Sequence, residues 1–157
     1  MPKEIERKFL VDSTKLPKLP TAHHIKQGYI PTAGTATVRI RISDDRAFLT
    51  LKGKAKGLTR SEFEYGIPVE EAEMMLTELC TSSHIKKKRY LIPYGDHTWE
   101  LDIFEGDNEG LIVAEIELQA EHETFQKPPW VTEEVSYDPH YRNAYLIDHP
   151  YSMWADS

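Results

Sequence analysis

The chain has 157 residues, 39% of them hydrophobic and 29% charged, with a formal net charge of −7. That length supports one hydrophobic core of ordinary size, and no apolar run approaches the ~20 residues of a membrane span. The acidic balance argues against a broad nucleic-acid surface, which needs clustered Lys and Arg, but leaves a small anion open, since that is bound by the nearest charges and not by the total.

In chain order, "EIERKFLV" (4–11) alternates with Glu4, Glu6 and Lys8 on one face and Ile5, Arg7 and Phe9 on the other, the period of two that marks a strand. No basic stretch followed by an apolar one precedes it, so no secretory signal is expected. "KQGYI" (26–30), closed by Pro31, is a weaker extended segment. "TVRIRI" (37–42), "AFLTLKG" (47–53) and "SEFEYGI" (61–67) follow, parted by the turn signals "SDDR" and Gly53 to Gly57. Pro68 to Cys80 reads as a helix with Val69, Ala72, Met75, Leu76 and Leu79 on its apolar side, a crossover packed outside a sheet. Cys80, spaced from Leu76 like a core position, reads as packing and not as a reactive thiol. As the one cysteine it cannot form an intramolecular disulfide, which predicts a reducing, cytoplasmic setting. "IKKKRYLI" (85–92), "TWELDIFE" (98–105) and "LIVAEIEL" (111–118) complete the strands, and "AEHETFQ" and "DPHYRNAYLID" are short helix candidates. Short turns imply antiparallel pairing. With no linker or repeat, one domain over 1–157 is expected.

Aligning the alternation gathers Glu4, Glu6, Lys8, Arg39, Arg41, Lys52, Glu62, Glu64, Lys87, Arg89, Glu100, Asp102, Glu115 and Glu117 on one face. The opposite face is apolar, with Ile40, Leu49, Phe63, Trp99, Leu101 and Ile116 among its members. One such strand is an ordinary wet surface with cross-strand ion pairs. Seven together predict something else. An open sheet needs more helical cover than this sequence offers, whereas a closed barrel of about eight strands turns the charges into a lumen. The fold predicted is therefore α+β, mainly β: an eight-stranded antiparallel closed barrel with a few outer helices. Bases from four strands converging in a lumen suit a compact polyanion, Arg supplying forked hydrogen bonds to phosphate. Carboxylates without Cys or His form an oxygen-only set suited to Mg²⁺ or Mn²⁺. Eight acids against six bases leave the face at −2, so metal and anion are expected to bind cooperatively.

Glu4-Ile5-Glu6-Arg7-Lys8 has the E-x-E-x-K form of the CYTH domain, or triphosphate tunnel metalloenzymes. The chain resembles that family throughout: Gln27-Gly28-Tyr29, Arg39-x-Arg41, Leu51-Lys52, Glu62-x-Glu64, Lys87-x-Arg89-Tyr90, Glu100-Leu101-Asp102, Glu115-x-Glu117 and "WVTEEVSYDPHYRNAYL" stand in family order. The resemblance implies a tunnel in which Lys8, Arg39, Arg41, Lys52, Lys87 and Arg89 bind phosphate oxygens. Glu4, Glu6, Glu115 and Glu117 are implied to ligate metal or orient its water. Glu62, Glu64 and Asp102 are implied to support the bases or a second metal, with Glu100 less clearly assigned. Lys87, a lysine among cations, is expected to assist the attacking water or the leaving group. The chain looks most like short bacterial inorganic triphosphatases, which split tripolyphosphate into pyrophosphate and phosphate. A class IV adenylate cyclase, a nucleoside or thiamine triphosphatase, and a non-catalytic polyphosphate-binding module are the alternatives. The expected partner is a small-molecule triphosphate, with no nucleic acid and no membrane, on a monomer or homodimer. One position departs: short members often carry a base after the Asn matching Asn143, and here it is Ala144, with Arg142 one step before that Asn.

Other motifs fail. "GKAKGLTR" lacks the G-x-x-x-x-G-K-[ST] order of a phosphate loop, and His122-Glu123 is followed by Gln126 where a zinc-protease helix needs its second His.

Overall fold

The computed structural model describes residues 3–81 and 83–156. Nine strands are assigned among them: β1 (Lys3–Val11), β2 (His23–Ile30), β3 (Thr37–Ser43), β4 (Arg46–Lys52), β5 (Thr59–Ile67), β6 (Ile85–Tyr94), β7 (His97–Phe104), β8 (Ile112–Glu117) and β9 (Val131–Glu134). Two α-helices accompany them, α1 (Val69–Glu78) and α2 (Asn143–Asp148), with short 3-10 turns after β1, between β7 and β8 and toward the C-terminus.

The strands run in the order β5-β4-β3-β2-β6-β7-β8-β1-β9, and β1 also pairs with β5. That extra pairing, Lys3 with Ser61, Glu4 with Arg60 and Ile5 with Thr59, closes eight strands into an antiparallel barrel. β9 continues along the same edge of β1, Phe9 opposite Glu134 and Val11 opposite Val131. The closed eight-stranded barrel expected from alternation is thus present, with one added strand.

Two local expectations differ. "AEHETFQ" is not a helix: the Glu123 carboxylate accepts from the Gln119 N–H and contacts His97 Nε2, holding the segment in a turn. β9 has no clear alternation of its own, and forms because β1 outruns β5 and leaves an edge to pair. α1 matches its prediction within two residues at each end. It lies against β2 at Gly28, where a Cβ would stand 2.9 Å from Leu76 and 3.1 Å from His84.

Because charge faces inward, the apolar residues lie mostly outside the barrel, in three clusters. Phe9, Trp99, Leu101, Ile116, Trp130 and Val131 pack under the segment that leads to β9. Ile40, Ile42, Ala47, Ala72 and Leu76 join β3 and β4 to α1. The third cluster unites Ile85, Phe104, Leu111 and Val113 with Leu146 and Ile147 of α2. Ile85, Phe104 and Val113 have the same strand parity as Lys87, Asp102 and Glu115, so the inward face turns apolar there and α2 covers it. Among the described residues no helix is long and apolar enough to cross a membrane.

Candidate active site

Strand alternation delivers charged side chains from seven strands into one cavity of about 410 Å³. Glu4, Glu6 and Lys8 reach it from β1, Arg39 and Arg41 from β3, Lys52 from β4, and Glu62 and Glu64 from β5. Lys87 and Arg89 enter from β6, Glu100 from β7, and Glu115 and Glu117 from β8. Of the inward face read from sequence, Asp102 alone does not line the cavity. It is fully buried behind the wall, its Oδ1 2.7 Å from Arg89 Nε and its Oδ2 2.8 Å from Lys87 Nζ. Both oxygens are occupied by bases, so its place is that of a support.

The lining also includes residues to which sequence reading gave no role, among them Tyr29, Arg60, Ser136 and Asn143. Tyr29 and Arg60 share strand parity with Gln27 and Glu62 and were legible in principle. Ser136 and Asn143 lie outside strands, where no period points inward. Arg7, by contrast, faces outward as expected and pairs with Glu134 of β9.

Five of the six bases predicted for the tunnel already face a carboxylate, Lys87 through Asp102. Lys52 Nζ lies 3.0 Å from Glu4 and 3.3 Å from Glu62; Lys8 is 3.5 Å from Glu115, Arg39 3.6 Å from Glu64, and Arg89 3.0 Å from Glu100. Arg41 is held instead by a neutral group, Gln27 Oε1 at 2.8 Å. Burial, together with the neighbouring Arg39 and Arg89, pulls its guanidinium down to about 10. The Nε of Arg39 is buried without a hydrogen-bond partner among the described residues. A buried cationic donor left open is costly unless something anionic meets it.

The acids are under strain of the opposite sign. Burial lifts Glu6 well above the ordinary carboxylate range, and repulsion from Glu115 and Glu4 adds to it. Burial acts on Glu115 in the same direction but is outweighed by Lys8, Arg89 and a hydrogen bond with Glu6, so that group sits well below the range. One oxygen each from Glu6, Glu100 and Glu115 lie within 4.8 Å of one another. Three carboxyls this close, one of them favouring its proton, form the hard oxygen set that suits a divalent cation, which replaces the proton and relieves the repulsion. Glu100, the acid least clearly assigned from sequence, belongs to this trio; Glu4, Glu117, Glu62 and Glu64 line the cavity outside it.

On this geometry the tunnel combines a cationic cage with an acidic knot. The CYTH domain profile matches residues 2–145. The chain belongs to the CYTH family. Among CYTH relatives, the inorganic triphosphatase of Acetivibrio thermocellus is 44% identical over 156 residues, covering 99% of this chain and 100% of the relative. That of Nitrosomonas europaea is 37% identical over 148 residues, covering 91% and 95%. The crystal structure of the inorganic triphosphatase NE1496 superposes with a TM-score of 0.66 at 34% identity, covering 92% of this chain and 93% of its own. The PH1012 protein of Pyrococcus horikoshii shares the fold with a TM-score of 0.59 at 20% identity, over 74% of this chain and 79% of its own.

Proposed function

We infer that this CYTH protein hydrolyses inorganic tripolyphosphate to pyrophosphate and phosphate inside its tunnel, with Mg²⁺ or Mn²⁺ bound. The observation that carries this reading is the convergence of Lys8, Arg39, Arg41, Lys52, Lys87 and Arg89 on one cavity of about 410 Å³. A linear triphosphate is small and densely charged enough to use all six. The identity of 44% over the full length of a relative named inorganic triphosphatase supports it.

Glu6, Glu100 and Glu115 are the residues to hold a metal ion, with Glu4 and Glu117 beside them and Glu62 and Glu64 further along the wall. When bound, such an ion polarises phosphoryl oxygens and lowers the pKa of coordinated water. The chain's own residues supply the rest. Arg39, Arg41 and Lys52 neutralise the oxygens of the transferred phosphoryl group, whose negative charge is spread in the transition state. Lys8 and Arg89 hold the remaining phosphates, and Glu4 and Glu62 orient Lys52. Water attacks the terminal phosphorus as its bond to the bridging oxygen breaks, and pyrophosphate departs. Lys87, drawn down to about 7 by burial and by Arg89 and Arg41 against the pull of Asp102, assists either the water or the leaving oxygen in this reading. Asp102 anchors Lys87 and Arg89 and takes no direct part. The free, half-buried Cys80 fits a cytoplasmic location.

The test is phosphate release by folded variants. Arg39→Ala and Glu6→Gln each lose at least ~100-fold of the wild-type rate, with circular dichroism unchanged. Rates near wild type in both would remove the tunnel from the chemistry.

A further inference from the structure

The terminal helix raises a separate question. At Ala144 it presents no cation to the tunnel, yet Arg142, Asn143 and Ala144 all line it. The hydrogen bonds show what the segment contributes. Lys87 Nζ carries three donors, and two are fixed: one to Asp102 Oδ2 at 2.8 Å and one to Asn143 Oδ1 at 2.9 Å. The direction of the third is thereby set.

Asn143 is itself fixed. Its Oδ1 also accepts from Gln27 Nε2 at 3.3 Å. Gln27 is fully buried; it donates to Tyr29 Oη at 3.0 Å and accepts from Arg41 Nε at 2.8 Å. Two donors, Lys87 and Gln27, meet the same atom of Asn143, which requires that atom to be the amide oxygen. One turn earlier, the Tyr141 carbonyl accepts from Lys8 Nζ at 2.9 Å. Leu146 and Ile147 seat the helix on Ile85, Phe104 and Val113, so a packed core sets the position of Asn143.

A neutral acceptor does something a carboxylate does not. An Asp or Glu facing Lys87 from this side would orient the ammonium but cancel more of its charge, weakening its hold on an anion. An amide oxygen orients it and leaves the charge for the ligand.

We propose that Asn143, backed by Gln27, is a positioning residue that aims the Lys87 ammonium into the tunnel, so that α2 serves the reaction through a neutral acceptor. The inference rests on the triphosphatase reading above. Two rival roles are distinguishable from it: Asn143 touching the substrate directly, and Asn143 merely closing the start of α2.

The experiment is a double-mutant cycle of Asn143→Ala and Lys87→Ala, measured as kcat and KM for tripolyphosphate alongside melting temperature. Asn143→Ala is expected to lower kcat between ~10-fold and ~100-fold, the scale of a misaimed group, with KM changed less than ~3-fold. In the Lys87→Ala background the same change should cost less than ~2-fold, because the residue it acts through is gone. Equal losses in both backgrounds, or a raised KM with kcat intact, overturn the proposal. Asn143→Ser, whose hydroxyl is too short to reach Lys87 but which keeps a small polar residue in the first turn of α2, should lose as much as Asn143→Ala. Full activity in Asn143→Ser would leave only the structural role. If the wild-type protein releases no phosphate, the reading of function has failed, and the cycle is read by calorimetry of tripolyphosphate binding. There Asn143→Ala should weaken binding ~2- to 3-fold with Lys87 present, the low end of one hydrogen bond, and not at all without it; equal weakening in both overturns the proposal.

Discussion

Arg7 and Lys8 are neighbours in sequence with opposite fates, and the reason is parity. Lys8 faces the tunnel, whereas Arg7 lies outside against Glu134 and over the ring of Phe125 at 5.0 Å. Arg7→Ala should therefore leave phosphate release within ~2-fold of wild type and lower stability by no more than ~1 kcal/mol, the range of exposed ion pairs. A collapse of activity in a folded Arg7→Ala protein would contradict the assignment of faces. Asp102 presents the reverse case, buried behind the two bases that it joins. Asp102→Ala should cost ~3–5 kcal/mol in chemical denaturation, since it strands the buried Lys87 without its acid and leaves Arg89 only Glu100 at 3.0 Å. Burial raises its pKa, but Arg89 and Lys87 outweigh burial and hold the carboxyl at about 2, below its ordinary 3.8. A depressed acid stabilises the fold above the unfolded value and stops doing so as pH falls through the folded one. The Asp102 contribution should thus be complete above about pH 4 and disappear toward pH 2. Acid unfolding of wild type and Asp102→Asn should show that difference between them. What alternation could not reveal is depth: Asp102 and Glu100 have one parity, yet the first is sealed in the wall and the second belongs to the acidic trio.

Strands with strict alternation were readable one by one, because each half-buried strand writes its two faces with a period of two. β3, β4 and β5 fall within a residue or two of their expected bounds for that reason. β9 and the start of β2 were not readable, since their pairing depends on what neighbouring strands leave open. "AEHETFQ" misled in the other direction: its helix-forming composition is overridden by one carboxylate, Glu123, bound to a backbone N–H and to His97. α1 depends on a glycine, and Gly28→Ala tests that contact. The added Cβ, 2.9 Å from Leu76 and 3.2 Å from the Cβ of Cys80, should destabilise by ~1–3 kcal/mol, as overpacking does. A melting temperature equal to wild type would show that α1 yields at no cost.

At the scale of the molecule, the barrel is an inverted arrangement, with charge inside and oil outside, and that inversion was the most legible feature of the sequence. Seven strands with charge on one face, six of them paired at i and i+2, have too few helices to cover an open sheet. The acidic trio was less legible, because bringing Glu6, Glu100 and Glu115 within 4.8 Å depends on the stagger of β1, β7 and β8, which alternation leaves undetermined. Repulsion in that trio has a global consequence: Mg²⁺ or Mn²⁺ should raise the melting temperature, by an amount corresponding to ~2.7 kcal/mol at a hundred times its Kd. Glu6→Gln should lose most of the shift, and an equal shift in that variant would place the ion elsewhere. The central claim is that the tunnel turns over tripolyphosphate with a bound divalent ion, and one measurement addresses it most directly. Phosphate release from tripolyphosphate, ATP and thiamine triphosphate is assayed side by side, with and without chelator, and the ATP reaction is checked for cyclic AMP. Fast release from tripolyphosphate that chelator abolishes, with slower release from the other two and no cyclic AMP, is the predicted result. Tight tripolyphosphate binding with no phosphate released, or cyclic AMP as the main product, would contradict it.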